Sequence, residues 1–242
     1  MGGNVFQGTS DFDHKNIEAI LNTVNKALAG TGIEAIPVGS AATPKTGKRS
    51  GDLDVIVDQG AVQQYFDVRD PKDARKMLND YIGQKGLDTA QTGINVHVRV
   101  PVGNESHQVD IMVVDNAPSV SQFHKHNIPD NSPYKGKHKQ LLMAILAKDK
   151  GLMWSAWQGL FKRDDAGKKG EFISDNLDKI AKQLLGGSAV AKDLGSVEAI
   201  LDKVPSPEDL LSRAEQDKNW TVVQVETIDQ VNWFRKTMEI IK

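Results

Sequence analysis

From Ile94 to Val100 the chain alternates apolar and polar side chains without a break, Ile-Asn-Val-His-Val-Arg-Val. A period of two sustained over that length fits an extended strand with one buried face and does not fit a helix. The link from Pro101 to Ser106 leaves room only for a turn, so Gln108 to Val114 reads as a second strand, antiparallel to the first. Such a pair needs a sheet to belong to. Leu53 to Val57 supplies a third alternating run, and Ile33 to Val38 reads as a short strand that delivers the chain into Gly39-Ser40. The polar segment from Ala41 to Gly51 joins these two in a hairpin-like pair. Ile17, Ile20, Leu21, Val24 and Leu28 recur at helical spacing behind Asp13, a suitable N-cap, and Asp73 to Tyr81 is a second helix.

After Pro118 the pattern turns helical. Helices are expected at Ser119 to His126, Lys137 to Lys148, Ser174 to Leu185, Val197 to Leu201, Pro207 to Ala214 and Asp229 to Ile241, with a polar loop from Arg163 to Gly170 and a short β-like run from Thr221 to Val225. Gly186-Gly187-Ser188 reads as a hinge. The fold class expected is α+β: a mixed sheet with helices, then a mainly helical C-terminal region. With 242 residues, 39% hydrophobic and 26% charged, the chain has the composition of an ordinary globular protein. Its 32 acidic and 30 basic side chains leave a net charge of -2, so any nucleic-acid contact must be local. The absence of cysteine excludes disulfides, thiolate zinc sites and cysteine nucleophiles. No membrane partner is expected, and the start, without a basic and then apolar leader, reads as cytoplasmic.

The chemistry concentrates around Gly51-Asp52-Leu53-Asp54. Residues two apart on a strand share a face, so Asp52 and Asp54 project together while Leu53 and Val55 enter the core. A third carboxylate, Asp110, sits inside the apolar strand Val109-Asp110-Ile111, where an uncompensated charge is costly unless it faces a cleft or a cation. If the two strands are neighbours, the three acids converge, and hard oxygen ligands of that kind suit Mg2+ or Mn2+, two ions in all. The plainer reading of Asp110 is an edge-strand acid facing water. Gly39 would admit backbone to a triphosphate, Ser40 would donate to a phosphate oxygen, and Lys45, Lys48 and Arg49 would supply positive charge.

These residues resemble the signature of the DNA polymerase beta-like nucleotidyltransferase superfamily: an apolar strand, Gly-Ser, a variable loop, Asp-apolar-Asp, and a later strand with a third Asp. Gly39, Ser40, Asp52, Asp54 and Asp110 match it one by one, and Ser50-Gly51 before the acids is most similar to the family X polymerases. The loop after Ser40 departs from that pattern in its length and in lacking an early arginine. Downstream, Tyr134-Lys135-Gly136, Lys150-Gly151-Leu152 and Gly159-Leu160-Phe161 resemble the nucleotide-binding region of those polymerases, which implies that Tyr134 and Gly136 lie near sugar and base. The blocks Met1 to Phe6, Gly51 to Asp54 and Ser132 to His138 are similar to nucleotidyltransferase-like proteins of tailed phages.

The resemblance, which covers roughly Ile33 to Phe161, implies a palm-like catalytic domain over 1–130 and a helical nucleotide- or substrate-binding region over 131–187, and the helical patterning beyond it reads as a C-terminal helical region over 188–242. It implies transfer of a nucleoside monophosphate from an NTP or dNTP to a hydroxyl, first of all a DNA or RNA 3′ end, with a protein or small-molecule acceptor as the other choice. The competing class is a non-catalytic binding or assembly protein, of a phage for instance, that keeps the fold. Plainer roles are expected elsewhere. His97 and His107 read as surface residues, Trp154 and Trp157 as packing with Phe161 at near-helical spacing, and Trp220 and Trp233 as packing of the C-terminal part. Lys135, Lys137, His138 and Lys139 divide evenly between a solvated helix start and a nucleic-acid or triphosphate contact; Lys162, Arg163, Lys168 and Lys169, interleaved with Asp164 and Asp165, read as solvated.

Overall fold

The computed structural model describes residues 5–42, 47–125 and 132–217, and the chain divides into two compact units, Met1–Lys125 and His126–Lys242. Lys45, Trp220, Trp233, the β-like run at 221–225 and the helix at 229–241 lie outside the described residues. Among the described residues no helix is long and apolar enough to cross a membrane.

In the first unit the elements follow as β1 (Phe12–Asp13), α1 (Ile17–Ala27), β2 (Ile36–Pro37), β3 (Arg49–Ser50), β4 (Asp52–Asp58), α2 (Gln59–Phe66), α3 (Pro71–Gln84), β5 (Asp88–Thr92), β6 (Asn95–Val102), β7 (Glu105–Val114) and α4 (Ala117–His124). Five of the strands form one mixed sheet in the order β2-β4-β7-β6-β5. β4 and β7 run parallel, and every other neighbouring pair is antiparallel. The α+β class with a mixed sheet is therefore what the sequence leads one to expect. The β6–β7 turn is tighter than expected: Val102 pairs with Glu105. Gly103, at φ +60°, takes the first central position, where a two-residue hairpin needs a left-handed residue.

Alternation along the strands divides the sheet into two faces. Leu53, Val55, Val57, Val96, Val98, Val100, Val109, Ile111 and Val113 face one core with Ile17, Ile20 and Val24 of α1 and Ala74, Leu78 and Ile82 of α3. Full burial of each of these Val, Leu and Ile side chains contributes about 1.5–3 kcal/mol before entropy is counted. The opposite face changes character along its length. Ile56, Met112 and Val114 are buried there, on the side where α4 packs against β4 and β2. Toward the start of β4 and β7 the same phase carries Asp52, Asp54, Gln108 and Asp110 instead.

Local chemistry fixes the connections. Asp58 caps α2 by accepting from the Ala61 amide at 3.1 Å, and Asp70 caps α3 by accepting from the Lys72 amide at 2.6 Å. Pro71 then occupies the first turn of α3, where a missing N–H costs nothing.

The second unit runs α5 (Gly136–Asp149), β8 (Leu152–Ser155), β9 (Gly159–Arg163), β10 (Lys169–Ser174), α6 (Leu177–Leu185), α7 (Val197–Leu201) and α8 (Pro207–Glu215). Its helices bury Leu142, Met143, Ile180, Leu184, Ile200 and Leu210. Three antiparallel strands, in the order β10-β9-β8, stand in a region expected to carry only helices and a loop. The loop expected from Arg163 to Gly170 is the connection between β9 and β10, which take in its ends at Arg163, Lys169 and Gly170. Lys169, Glu171 and Phe172 on β10 are exposed, so no apolar pattern announces that strand; the backbone ladder to β9 forms it. The hairpin also replaces the helical spacing expected for the aromatics. Trp154 stands opposite Leu160, Met153 opposite Phe161, and Phe161 meets Phe172 edge to face at 5.5 Å. Gly159, at φ +95°, lets β9 pass β10 where any Cβ would run into the Ser174 carbonyl.

Candidate metal centre

Asp52 and Asp54 share a face of β4 by their two-residue spacing. Parallel pairing puts Asp54 directly beside Asp110 and Asp52 beside Gln108. As a result, one carboxylate oxygen from each of Asp52, Asp54 and Asp110 lies within 4.8 Å of the other two. At that separation and an effective dielectric of ~20, each pair of full charges repels by roughly 3 kcal/mol. The Asp54 carboxyl is accordingly pushed up to about 7, first by burial and then by Asp52 and Asp110. Asp52 is raised as well, by burial first and by Asp110 second. A divalent cation would relieve this repulsion, and three carboxylates are a hard-oxygen donor set that fits Mg2+ or Mn2+.

Asp110 is held from behind. The His97 Nδ1–H donates to Asp110 Oδ1 at 2.8 Å, and the Gln108 amide nitrogen donates to the same oxygen at 2.8 Å. His97 is in turn bonded through Nε2 to the Thr92 hydroxyl at 2.6 Å. The Gln108 amide is oriented by Val5, whose N–H donates to Gln108 Oε1 at 2.9 Å. All three of His97, Gln108 and Asp110 are buried.

The expectation that His97 and His107 lie on the surface is thus corrected: they are 4% and 0% exposed. His97 is the antiparallel register partner of Asp110, so it shares the acid face. His107 falls in the core phase of β7, two residues before Val109. It meets Phe12 edge to face at 5.7 Å and bonds the Ser10 carbonyl through Nδ1 at 2.9 Å. Extending the alternation of Val109, Ile111 and Val113 back by two residues would have found it.

Gly39 leaves β2 at φ +62°, a region that glycine enters without penalty. The following Ser40 hydroxyl lies 3.1 Å from the Ser50 hydroxyl, which is 2.8 Å from His14 Nε2. A Cβ built on Gly39 would stand 3.3 Å from Asp54 Oδ2, so the turn abuts the acids. Burial, followed by the nearby Lys48 charge, holds the His14 imidazole below its usual value, and Asp13 partly offsets them. Lys48 and Arg49 are exposed. The Lys48 carbonyl accepts from the His14 amide at 3.0 Å, and the Arg49 guanidinium donates to the Asp11 carbonyl at 2.7 Å. Gly51 lies beside Asp11, whose Oδ1 would stand 3.4 Å from an added Cβ. Structure thus brings Gly39 and Ser40 to the acids' neighbourhood and ties Arg49 and Gly51 to Asp11.

Tyr134 and Gly136 belong to the second unit. Gly136 opens α5, and the Lys135 amide just before it donates to His138 Nδ1 at 2.8 Å. Tyr134 meets His138 edge to face at 5.8 Å, and its hydroxyl is pushed up by burial and then by Glu198 and Glu215. Ser132 donates to Glu198 and accepts from the Tyr134 amide at 3.1 Å. Of the basic cluster, Lys135 and Lys137 are exposed while His138 and Lys139 are buried; burial pulls the Lys139 ammonium down to about 7.

No protein-family model matches the chain, and no curated protein does. Among solved structures it is similar to Leishmania infantum polymerase beta in a ternary P/T complex, at 16% identity over 89% of this chain and 78% of that one, with a TM-score of 0.45. It is similar also to the same polymerase in a ternary gap complex, at 18% identity over 88% of this chain and 71% of that one, again with a TM-score of 0.45.

Proposed function

We propose that this chain is a metal-dependent nucleotidyltransferase of the DNA polymerase beta type, which moves a nucleoside monophosphate from an NTP or dNTP to a hydroxyl acceptor, a nucleic-acid 3′ end. The observation that carries this reading is the convergence of Asp52, Asp54 and Asp110 within 4.8 Å on two parallel strands. The Gly39-Ser40 turn beside them adds to it.

Asp52, Asp54 and Asp110 would hold the divalent ions. When bound, such ions neutralise phosphate charge and lower the pKa of an attacking hydroxyl. The chain's own part is positioning, because phosphoryl transfer needs placement and charge neutralisation more than a protein nucleophile. The Ser40 hydroxyl would donate to a phosphate oxygen, with Ser50 and His14 fixing its direction. Lys48 and Arg49, both exposed, would add positive charge at the edge of the loop, and Lys45 is assigned to the same role on the sequence alone. Tyr134 and Gly136 are assigned to sugar and base on the sequence resemblance alone.

The test incubates the protein and its Asp110→Ala variant with Mg2+ or Mn2+, each α-labelled nucleoside triphosphate, and a panel of DNA, RNA and protein acceptors. Label transfer by the wild type that is lost in the variant supports the assignment and names the acceptor class. No transfer, together with no Mn2+ binding, rejects it in favour of a non-catalytic binding protein.

A further inference from the structure

We propose that His97 and Gln108 are positioning residues that occupy Asp110 Oδ1 and leave Oδ2 as the oxygen Asp110 offers to a divalent cation. This rests on the reading of Asp52, Asp54 and Asp110 as metal ligands.

A carboxylate has about four lone-pair sites over its two oxygens. Two donors, His97 Nδ1–H and the Gln108 amide, both at 2.8 Å, converge on Oδ1 and fill its share. Neither donor is free to leave. His97 is held at its far nitrogen by Thr92 at 2.6 Å and sits opposite Asp110 in the β6–β7 ladder. Gln108 is one residue from Val109 on the strand that carries Asp110, and the Val5 amide, donating to Oε1, turns its nitrogen toward the acid. A carboxylate accepts and does not donate, so the bond assigns the hydrogen to Nδ1. With Oδ1 occupied, Asp110 is a one-oxygen ligand whose rotation about its own side chain is blocked. That restraint matters beside Asp54, its strand-register partner, because an acid free to turn would trade cation contact for hydrogen bonding at no cost. Removal of such supporting bonds typically weakens metal affinity by about 10- to 100-fold.

The experiment titrates Mn2+ into the full chain, without nucleotide, by calorimetry and by electron paramagnetic resonance of free Mn2+, for wild type, His97→Ala, His97→Asn and Gln108→Met. The Asn amide can reach where Nδ1 stands, so it restores a donor without restoring a ring. The expected result is a loss of about 10-fold or more in His97→Ala, with His97→Asn returning to within about 3-fold of wild type. Equal binding by wild type and a folded His97→Ala overturns this inference alone, as does a folded His97→Asn that is as weak as His97→Ala. Should His97→Ala fail to fold by circular dichroism, Gln108→Met decides: about a 10-fold loss supports the inference, and wild-type affinity overturns it. A wild type that takes no Mn2+ overturns the proposed function and this inference with it.

Discussion

Asp54 and Asp110 are register partners on adjacent parallel strands, and each has an apolar residue of the main core on either side of it in sequence. Burying Leu53, Val55, Val109 and Ile111 therefore forces the two carboxylates together. The core holds the acids together, and burial first, then Asp52 and Asp110, push the Asp54 carboxyl up to about 7.

Neutralising Asp54 should stabilise the protein when divalent ions are chelated. Asp54→Asn removes the carboxyl whose pKa is pushed up to about 7 and is expected to raise stability by roughly 2 kcal/mol at pH 8, above that value. Urea melts of the variant and wild type in EDTA measure this.

The same carboxyl sets a pH dependence. Its pKa is about 7 in the fold against 3.8 in the unfolded chain. Between those values the folded protein keeps a proton that the unfolded chain has released, so this group's contribution is full below pH 4 and is lost as pH rises through 7. In EDTA, the stability difference between Asp54→Asn and wild type should be near zero at pH 4 and grow up to pH 8. Mn2+ should reverse the trend for wild type, raising its melting temperature more at pH 8 than at pH 5.5, because the cation competes with the proton. Melting curves on a pH series with and without Mn2+ give both results.

Gly39→Ala should cost stability and activity together. The substitution forces an L-residue to φ +62° and places a methyl 3.3 Å from Asp54 Oδ2. A loss of about 1–2 kcal/mol is expected from the backbone alone, and the displaced carboxylate should lower the transfer rate by at least about 10-fold. Denaturant melts and initial rates measure the two effects.

Ser40→Ala should act on nucleotide binding with the fold intact. Losing one donor to a charged phosphate corresponds to about 1.5–3 kcal/mol, roughly a 10- to 100-fold rise in KM for the triphosphate. Ser50→Ala, one bond further out, should give a smaller rise of the same sign. Steady-state kinetics on the two variants order them.

Much of the sheet was legible because its signal is periodic. Leu53 to Val57, Ile94 to Val100 and Gln108 to Val114 carry enough apolar patterning, with a short turn between the last two, that strand, face and antiparallel return follow from the residues alone. The polar phase is harder to read: it says that His97 shares a face with Asp110 but not what covers that face, and Thr92, Gln108 and the segment at Val5 do the covering. Elements held by backbone bonds more than by apolar burial left little trace. β5 exposes Asp88, Gln91 and Thr92, β10 exposes Lys169, Glu171 and Phe172, and α2 buries Val62 alone. The local meaning of Gly159 was also hidden, since its need is set by Ser174, a contact between strands.

The central claim, that Asp52, Asp54 and Asp110 act together in metal-dependent nucleotidyl transfer, is tested most directly by the rate of α-label transfer to an acceptor as Mn2+ is titrated. Wild type, Asp52→Asn, Asp54→Asn and Asp110→Asn are compared, all shown to be folded. The account predicts saturable, Mn2+-dependent transfer by wild type and a loss of at least about 1000-fold, ~4 kcal/mol of barrier, in each variant. Transfer that survives in any of the three variants, or a wild type inactive at saturating Mn2+ on every acceptor tried, would contradict it.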